Sequence, residues 1–307
     1  LQLPYFLKYQ YFKLFCMSLS PEVINRPKVN IQAMTDVGRC RAHNEDNFIV
    51  CPDLSQKRWC LTDHPAELTS NGCLLVVADG MGGANAGELA SAIAVETIRN
   101  RFDALELAES LEEEQIQHYL QEAIMEAHHA IVAAAAENTS SAGMGTTIVV
   151  AWVFPQKVVM AWVGDSRGYR YNKPEGLKLL TSDHSLVWDL VKAGKLTPEE
   201  ADVHPDNNII TQSLGAPDRP PKPDFITCAL APGDRLLLCS DGLNNMLSHK
   251  TIEQILAKSI PLADAGNKLI QYANEEGGDD NITVLSLEVL EKPSKKNFFN
   301  LFGLLSV

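Results

Sequence analysis

Three strand-like runs, the first two apolar and β-branched and the third aromatic, follow one another with almost nothing between them: GMGTTIVVAWVF (143–154), KVVMAWVG (157–164) and RGYRYN (167–172). Only Pro155-Gln156 and Asp165-Ser166 separate them. A parallel crossover needs a dozen or more residues, so sequential antiparallel strands joined by tight turns are the economical reading. Further strands are expected at VNIQAMTDVG, NFIVC, CLLVVADG, PDFITCAL, DRLLLCS and NITVLSLEV, where alternation or short apolar runs end at turn residues. Helical spacing marks 84–103, 112–136, 249–257 and 261–275. Between Ser182 and Gly215 the periodicity weakens, with a helix-like SLVWDLVKAG and the helix-start signal Thr197-Pro198-Glu199-Glu200, which predicts an excursion that covers a site. With no repeat, coiled coil or linker, one domain of about 260 residues is preferred over two.

Charge narrows the function classes. Lys plus Arg number 26 and Asp plus Glu 39, a net charge of −13, which argues against a nucleic-acid partner and mildly favours cation binding. The seven cysteines, at 16, 40, 51, 60, 73, 228 and 239, form no CxxC pair and leave one over, so a reducing compartment, the cytoplasm, is the expectation. Cys73 and Cys239 lie in or beside apolar runs and read as small core hydrophobes. The longest apolar stretches are strand-sized, too short for a bilayer-spanning helix.

Four short motifs place acidic residues where a strand meets a turn: HNEDN with Glu45 and Asp46, VADGMGG with Asp79, CSDGL with Asp241, and GGDDNITV with Asp279 and Asp280. A strand end fixes a carboxylate, and a following glycine lets backbone and solvent approach. Any one Asp-Gly is an ordinary turn. Converging from distant strands, however, such carboxylates suit hard ions, Mg²⁺ or Mn²⁺, that could activate water and offset charge on a phosphoryl group. The histidines make no zinc set. Arg41 supplies the donor fork that fits phosphate oxygens, its plainer alternative being a surface ion pair.

In order along the chain, TDVGRCRAHNED, VADGMGGANAGELAS, GMGTTIV, WVGDSR, TSDHSLV, HPDNNIITQSLG, GDRLLLCSDGL and GGDDNITV closely resemble the metal-dependent PP2C family of protein serine/threonine phosphatases, in its bacterial branch. The resemblance covers about residues 30 to 289. It implies an α+β fold, a four-layer α-β-β-α sandwich of two central antiparallel sheets flanked by helix pairs. It also implies two ions, Mn²⁺ or Mg²⁺, in a core site. Asp46 and Asp79 would be direct ligands, with Asp79 bridging and the Gly80 carbonyl on one ion, while Asp241 and Asp280 complete the other. Glu45 would act through bound water, and Asp165 with Asp241 would contribute to the third metal position of bacterial-type members. Arg41 corresponds to the phosphate-binding arginine. The implied reaction is attack of metal-activated water on phosphoserine or phosphothreonine, with no phosphoenzyme.

The departures are modest. Met81 stands where some animal members carry a histidine assigned as general acid, Asp279 where many have an arginine, and Asn244-Asn245 where Thr-Asp is commoner. Near the site, His43 could touch phosphate or only pack at the rim; His184 and His204 read as structural or solvent-facing, and His128-His129 as helix neighbours on different faces. Ser166 and Thr146 lack a base triad and read as structural.

The sequence divides into an extension over 1–28, a catalytic domain over 29–290 with a flap at about 182–215, and a tail over 291–307. Residues 1–16 leave three readings open: upstream-translated sequence before Met17, an amphipathic contact with membrane or partner, or a packed extension. The aromatic tail is read first as docking on its own domain. A monomer acting on phosphoproteins, in partnership with a Ser/Thr kinase or its targets, is expected. The competing readings are an inactive phosphoprotein-binding regulator and a small phosphate-ester hydrolase.

Overall fold

The computed structural model describes residues 26–82, 86–106, 111–137, 141–202 and 204–291. The expectations for residues 1–16 and for the tail beyond Glu291 lie outside them. The described strands are β1 (Lys28–Asp36), β2 (Asp46–Cys51), β3 (Ala66–Glu67), β4 (Cys73–Met81), β5 (Gly145–Thr146), β6 (Ile148–Phe154), β7 (Lys157–Val163), β8 (Arg167–Asn172), β9 (Gly176–Leu179), β10 (Asp224–Ala229), β11 (Arg235–Cys239) and β12 (Ile282–Val289). The helices are α1 (Ala86–Ala104), α2 (Glu113–Glu137), α3 (Leu186–Lys192), α4 (Pro198–Asp202), α5 (Asp241–Asn244), α6 (His249–Leu256) and α7 (Leu262–Glu275). Among them no helix is long and apolar enough to cross a membrane.

One sheet runs β3-β1-β12-β11-β8-β9 and the other β10-β7-β6-β4-β2, with β5 paired to β4. All the pairings are antiparallel. As the two-residue gaps require, β6, β7 and β8 succeed one another antiparallel or across the turn at Asp165. However, β7 and β8 belong to different sheets, so that gap is a corner between sheets and not a hairpin.

The sheets stack because their strands are apolar on both faces. In β4, Leu74, Val76 and Ala78 pack with Ile98, Phe102 and Leu120 of the helices, while Cys73, Leu75 and Val77 pack with Leu236, Leu285 and Leu287 of the other sheet. In β11 the same division sends Leu237 and Cys239 toward Ile252, Ile255 and Leu269 of α6 and α7. Continuous runs such as CLLVVA lack polar alternation because each sheet has a sheet on one side and helices on the other. The result is the expected four-layer α-β-β-α sandwich. Cys73 and Cys239 are buried in it as small hydrophobes.

Two edge strands escape a sequence reading. β3 has two residues, and β9, four residues long, pairs with β8 across a turn at Gly176, whose φ is 78°. Both are too short to carry a period. Thr197 and Glu200 form a reciprocal cap at the start of α4, Glu200 Oε2 accepting from the Thr197 amide at 2.8 Å and Thr197 Oγ1 from the Glu200 amide at 3.2 Å.

Antiparallel order sets where chemistry can occur. The start of β2, the end of β4, the β7–β8 corner, the end of β11 and the start of β12 lie at one end of the sandwich, as the pairings Asp46 with Asp79, Cys239 with Arg167 and Cys239 with Val284 require. At the helical layer, Trp152 is fully buried with Phe102 at 5.0 Å and Phe154 at 5.2 Å between ring centroids, and its Nε1 donates to the Asn71 carbonyl at 2.9 Å. Trp152→Ala should therefore cost about 3–5 kcal/mol in urea unfolding; a loss below about 1 kcal/mol would mean that this cluster does not anchor the helical layer.

Candidate active site

At that end five aspartates meet, four of them desolvated and Asp280 one-third exposed. Asp46 opens β2 and faces Asp79 as its register partner. Asp165 lies in the corner before β8, Asp241 opens α5, and Asp280 immediately precedes Asn281 and β12. Asp241 corrects the strand-to-turn expectation, because it occupies the first turn of a four-residue helix instead.

Burial pushes the Asp46 carboxyl up to about 7, chiefly by desolvation, with Asp241 and Asp280 adding to it and the Thr283 and Ser240 hydroxyls opposing it. Asp241 is raised to about 6 by desolvation and then by Asp280. Asp79 and Asp165 are raised well above the carboxylate range by desolvation and then by their aspartate neighbours. Glu45, partly buried on the same side, is raised by desolvation and eased by Arg41.

The carboxylates are held by groups that donate to one oxygen and leave the other. Asp46 Oδ2 accepts from Thr283 Oγ1 at 2.6 Å and Ser240 Oγ at 2.7 Å, whereas its buried Oδ1 has no hydrogen-bond partner. Asp241 repeats the pattern, its Oδ2 accepting from Asn245 Nδ2 at 3.1 Å and its buried Oδ1 from nothing. Around Asp79 the backbone is pinned: its carbonyl accepts from the Thr147 amide at 2.9 Å and from Thr146 Oγ1 at 2.8 Å. Thr146 is thus structural, as is Ser166, which shares a hydrogen bond with Thr147 Oγ1 at 2.7 Å.

Asn281 holds the loops together. Its Oδ1 accepts from the Glu45 amide at 2.7 Å, and its Nδ2 donates to the carbonyls of Val37 at 3.0 Å and His43 at 2.9 Å. One amide thereby fixes the loop of Arg41, His43 and Glu45 against Asp280. Close backbone approach does the rest: a methyl on Gly80 would collide with the carbonyls of Gly87 and Glu45, and one on Gly242 with that of Asn281. Arg41, half-exposed on the rim, donates from Nη2 to Asp280 Oδ2 at 2.6 Å.

Other sequence candidates stand apart from this cluster. His128 is buried, its Nδ1 accepting from the Gly215 amide at 3.2 Å, and its ring meets His129 edge-on at 5.3 Å despite the expectation that consecutive helix residues diverge. His184 is buried just before α3, bonded through Nδ1 to the Gly164 amide at 3.2 Å, so of its two readings the structural one holds. Sequence reasoning missed Ser240, Thr283, Asn281, Thr35, Asn44 and Asn245 as parts of the site. Four of the six lie inside or beside the motifs CSDGL and GGDDNITV, where the aspartates alone drew attention.

The donor set is all oxygen, and two desolvated carboxylate oxygens, on Asp46 and Asp241, lack a proton donor. That fits a hard divalent cation and no soft one. No group of three or more His, Cys, Asp or Glu side chains among the described residues is closed up as ligands of one ion. Two of the carboxylates are turned toward donors at hand, Asp46 to two hydroxyls and Asp280 to Arg41.

A family model described as Protein phosphatase 2C matches residues 61–285. The chain belongs to the protein phosphatase 2C family. Among its relatives is "Protein phosphatase PhpP" of Streptococcus pneumoniae, 38% identical over 273 residues, 87% of this chain and all of that protein. Solved members of the family with the same fold include the serine/threonine phosphatase Stp1 from Staphylococcus aureus, with a TM-score of 0.74 at 37% identity over 86% of this chain and 96% of that one. The catalytic domain of the serine/threonine protein phosphatase PstP, solved in complex with two manganese ions, gives a TM-score of 0.68 at 31% identity over 86% of this family member and all of that chain.

Burying these charges has a pH signature. Because the Asp46 carboxyl is raised in the folded state from 3.8 to about 7, its contribution to stability is full below pH 4 and is lost as pH rises toward 7. In metal-stripped protein Asp46→Asn removes that titration. The variant should gain on the native protein as pH rises from about 4 to about 7, by on the order of 3 kcal/mol, and then level off. Denaturant midpoints measured across that range check this; a difference independent of pH would refute the burial argument.

Proposed function

We propose that this chain hydrolyses phosphoserine and phosphothreonine in proteins, with Mg²⁺ or Mn²⁺ as cofactor and without a covalent phosphoenzyme. The observation that carries the reading is the buried, all-oxygen carboxylate cluster with free oxygens on Asp46 and Asp241 beside an exposed arginine. Support also comes from the phosphatase names of the relatives and from the manganese-bound neighbour.

In this proposal Asp46, Asp79, Asp241, Asp280 and the Gly80 carbonyl hold two ions, Glu45 acts through ordered water, and Asp165 with Asp241 serves a third position. Once bound, the ions supply Lewis acidity, which favours deprotonation of water and offsets the charge of a transferring phosphoryl group. Arg41 presents its guanidinium to the phosphoryl oxygens, exchanging its contact with Asp280 for a bidentate one to substrate. Asn281 keeps that arginine's loop in register with the aspartates, and the desolvated walls strengthen every charge interaction inside.

Among the described residues nothing favours a nucleophilic side chain. Burial pushes the Cys51 and Cys239 thiols up to about 11 and about 12, and the Ser166 and Thr146 hydroxyls are engaged with backbone and neighbouring hydroxyls. We take residues 29–290, with the flap at about 182–215, as the catalytic unit. We further propose that it works as a monomer in the cytoplasm on the products of a Ser/Thr kinase. The six described cysteines are free thiols, consistent with a reducing compartment.

Phosphate release from a phosphothreonine peptide and from a small aryl phosphate tests this, using metal-stripped protein with and without added Mn²⁺ or Mg²⁺. Metal should restore turnover with the peptide preferred, and Asp79→Ala should lose at least about 100-fold while remaining folded. Full activity of Asp79→Ala would remove its proposed role in holding the ions, and no turnover by folded, metal-loaded native protein would favour a binding function instead.

A further inference from the structure

Asp46 belongs to one sheet, yet the side chains that hold it come from the other. Its Oδ2 accepts from Ser240 Oγ and Thr283 Oγ1. Each hydroxyl has a single proton, so one that donates to Asp46 acts as acceptor toward a neighbouring amide or hydroxyl donor; Ser240 Oγ also lies 3.4 Å from the Asn281 carbonyl. Ser240 Oγ accepts from the Thr283 amide at 2.9 Å. Thr283 Oγ1 lies 2.8 Å from Thr35 Oγ1, and with its own proton committed to Asp46 it is the acceptor in that pair. Thr35 Oγ1 accepts in turn from Asn44 Nδ2 at 2.7 Å, and Asn44 Oδ1 accepts from the Asp46 amide at 3.1 Å. The chain of donors therefore runs one way, from Asn44 through Thr35 and Thr283 to Asp46, and closes on the residue where it ends. Its geometry is set by the sheet, since Thr35 and Thr283 are register partners of β1 and β12.

Both hydroxyls converge on a single oxygen. Two charge-assisted bonds saturate Oδ2, whereas Oδ1 is buried and unpartnered. A carboxylate held in this way offers a cation one oxygen, and a two-oxygen contact would require breaking those bonds. Ca²⁺ takes roughly six to eight oxygens and accepts two-oxygen carboxylates, whereas Mg²⁺ demands a tight octahedron.

We propose that Thr283 and Ser240, backed by Thr35 and Asn44, are positioning residues that hold Asp46 as a one-oxygen ligand and thereby bias the site toward small octahedral cations over Ca²⁺. The inference rests on the metal-dependent reading above.

Calorimetric titration of the metal-stripped protein with Mn²⁺, Mg²⁺ and Ca²⁺ separates the possibilities without measuring catalysis. Thr283→Val keeps the side-chain shape and deletes the donor. It should weaken Mn²⁺ and Mg²⁺ by about tenfold or more and leave Ca²⁺ unchanged or tighter, so that selectivity falls by at least about tenfold. Thr283→Ser, which retains the hydroxyl, should return selectivity to within about threefold of native. Thr35→Val, at the exposed end of the chain, should shift it the same way by less. Unchanged selectivity in Thr283→Val overturns the inference, as does a serine variant as defective as the valine one. If Thr283→Val does not fold, Thr35→Val decides, and native selectivity there overturns it. A native protein that bound no divalent cation would instead overturn the metal-dependent reading and this inference with it.

Discussion

Like charges forced together out of water are the constraint on which this structure turns. Asp46 and Asp79 face each other across paired strands, with Asp165, Asp241 and Asp280 acting on the same space. Desolvation and mutual repulsion both favour the neutral forms, so the bare cluster works against the fold that creates it. It persists because each carboxylate is attached to something rigid: Asp46 and Asp79 to neighbouring strands, Asp241 to a helix whose Gly242 packs on the Asn281 carbonyl, Asp280 to the turn that Asn281 staples. A frame that withstands this repulsion is already shaped for a ligand that relieves it.

The rest of the architecture follows from bringing those attachments to one end. Two sheets stacked face to face bury the apolar runs, and antiparallel order returns alternate strand ends to the same place. Across that end the sheets are tied by polar contacts where the core stops, with Ser240 and Thr283 of one sheet gripping Asp46 of the other. The helical layers keep the outer sheet faces dry, and they bring charge to the site through Asp241 in its own short helix and Glu88 in the first turn of α1, which acts on Glu45.

Much of this was legible in the residues. The two-residue gap at 155 made β6 and β7 antiparallel neighbours, and runs such as CLLVVA and RLLLC signalled strands. The aspartates stood out because Asp-Gly recurs at the ends of such runs. What stayed hidden has a common cause: it depends on which atom of a side chain meets which partner far along the chain. Nothing local distinguishes Thr283 from any other strand threonine until Asp46, 237 residues away, is seen to accept its proton. Asn281 likewise reads as a polar residue after Asp280 and not as the clamp on Val37, His43 and Glu45. Arg41 was identified as a phosphate ligand or a surface ion pair, and the structure holds it in the ion pair with Asp280. The β7–β8 turn misled by looking like a hairpin, since a two-residue gap does not reveal that the next strand has crossed to the other sheet.

The central claim is that Asp46, Asp79, Asp165 and Asp241 retain protons for want of a better counter-charge, and that divalent cations replace those protons. Calorimetry of Mn²⁺ binding to the native chain near pH 6, repeated in buffers of different ionisation enthalpy, counts the protons released as the metal enters. The account predicts binding of about two ions with release of at least about one proton, shrinking as pH is raised above the range in which Asp46 and Asp241 titrate, about 7 and about 6. Metal binding with no proton release at any pH in that range would contradict it.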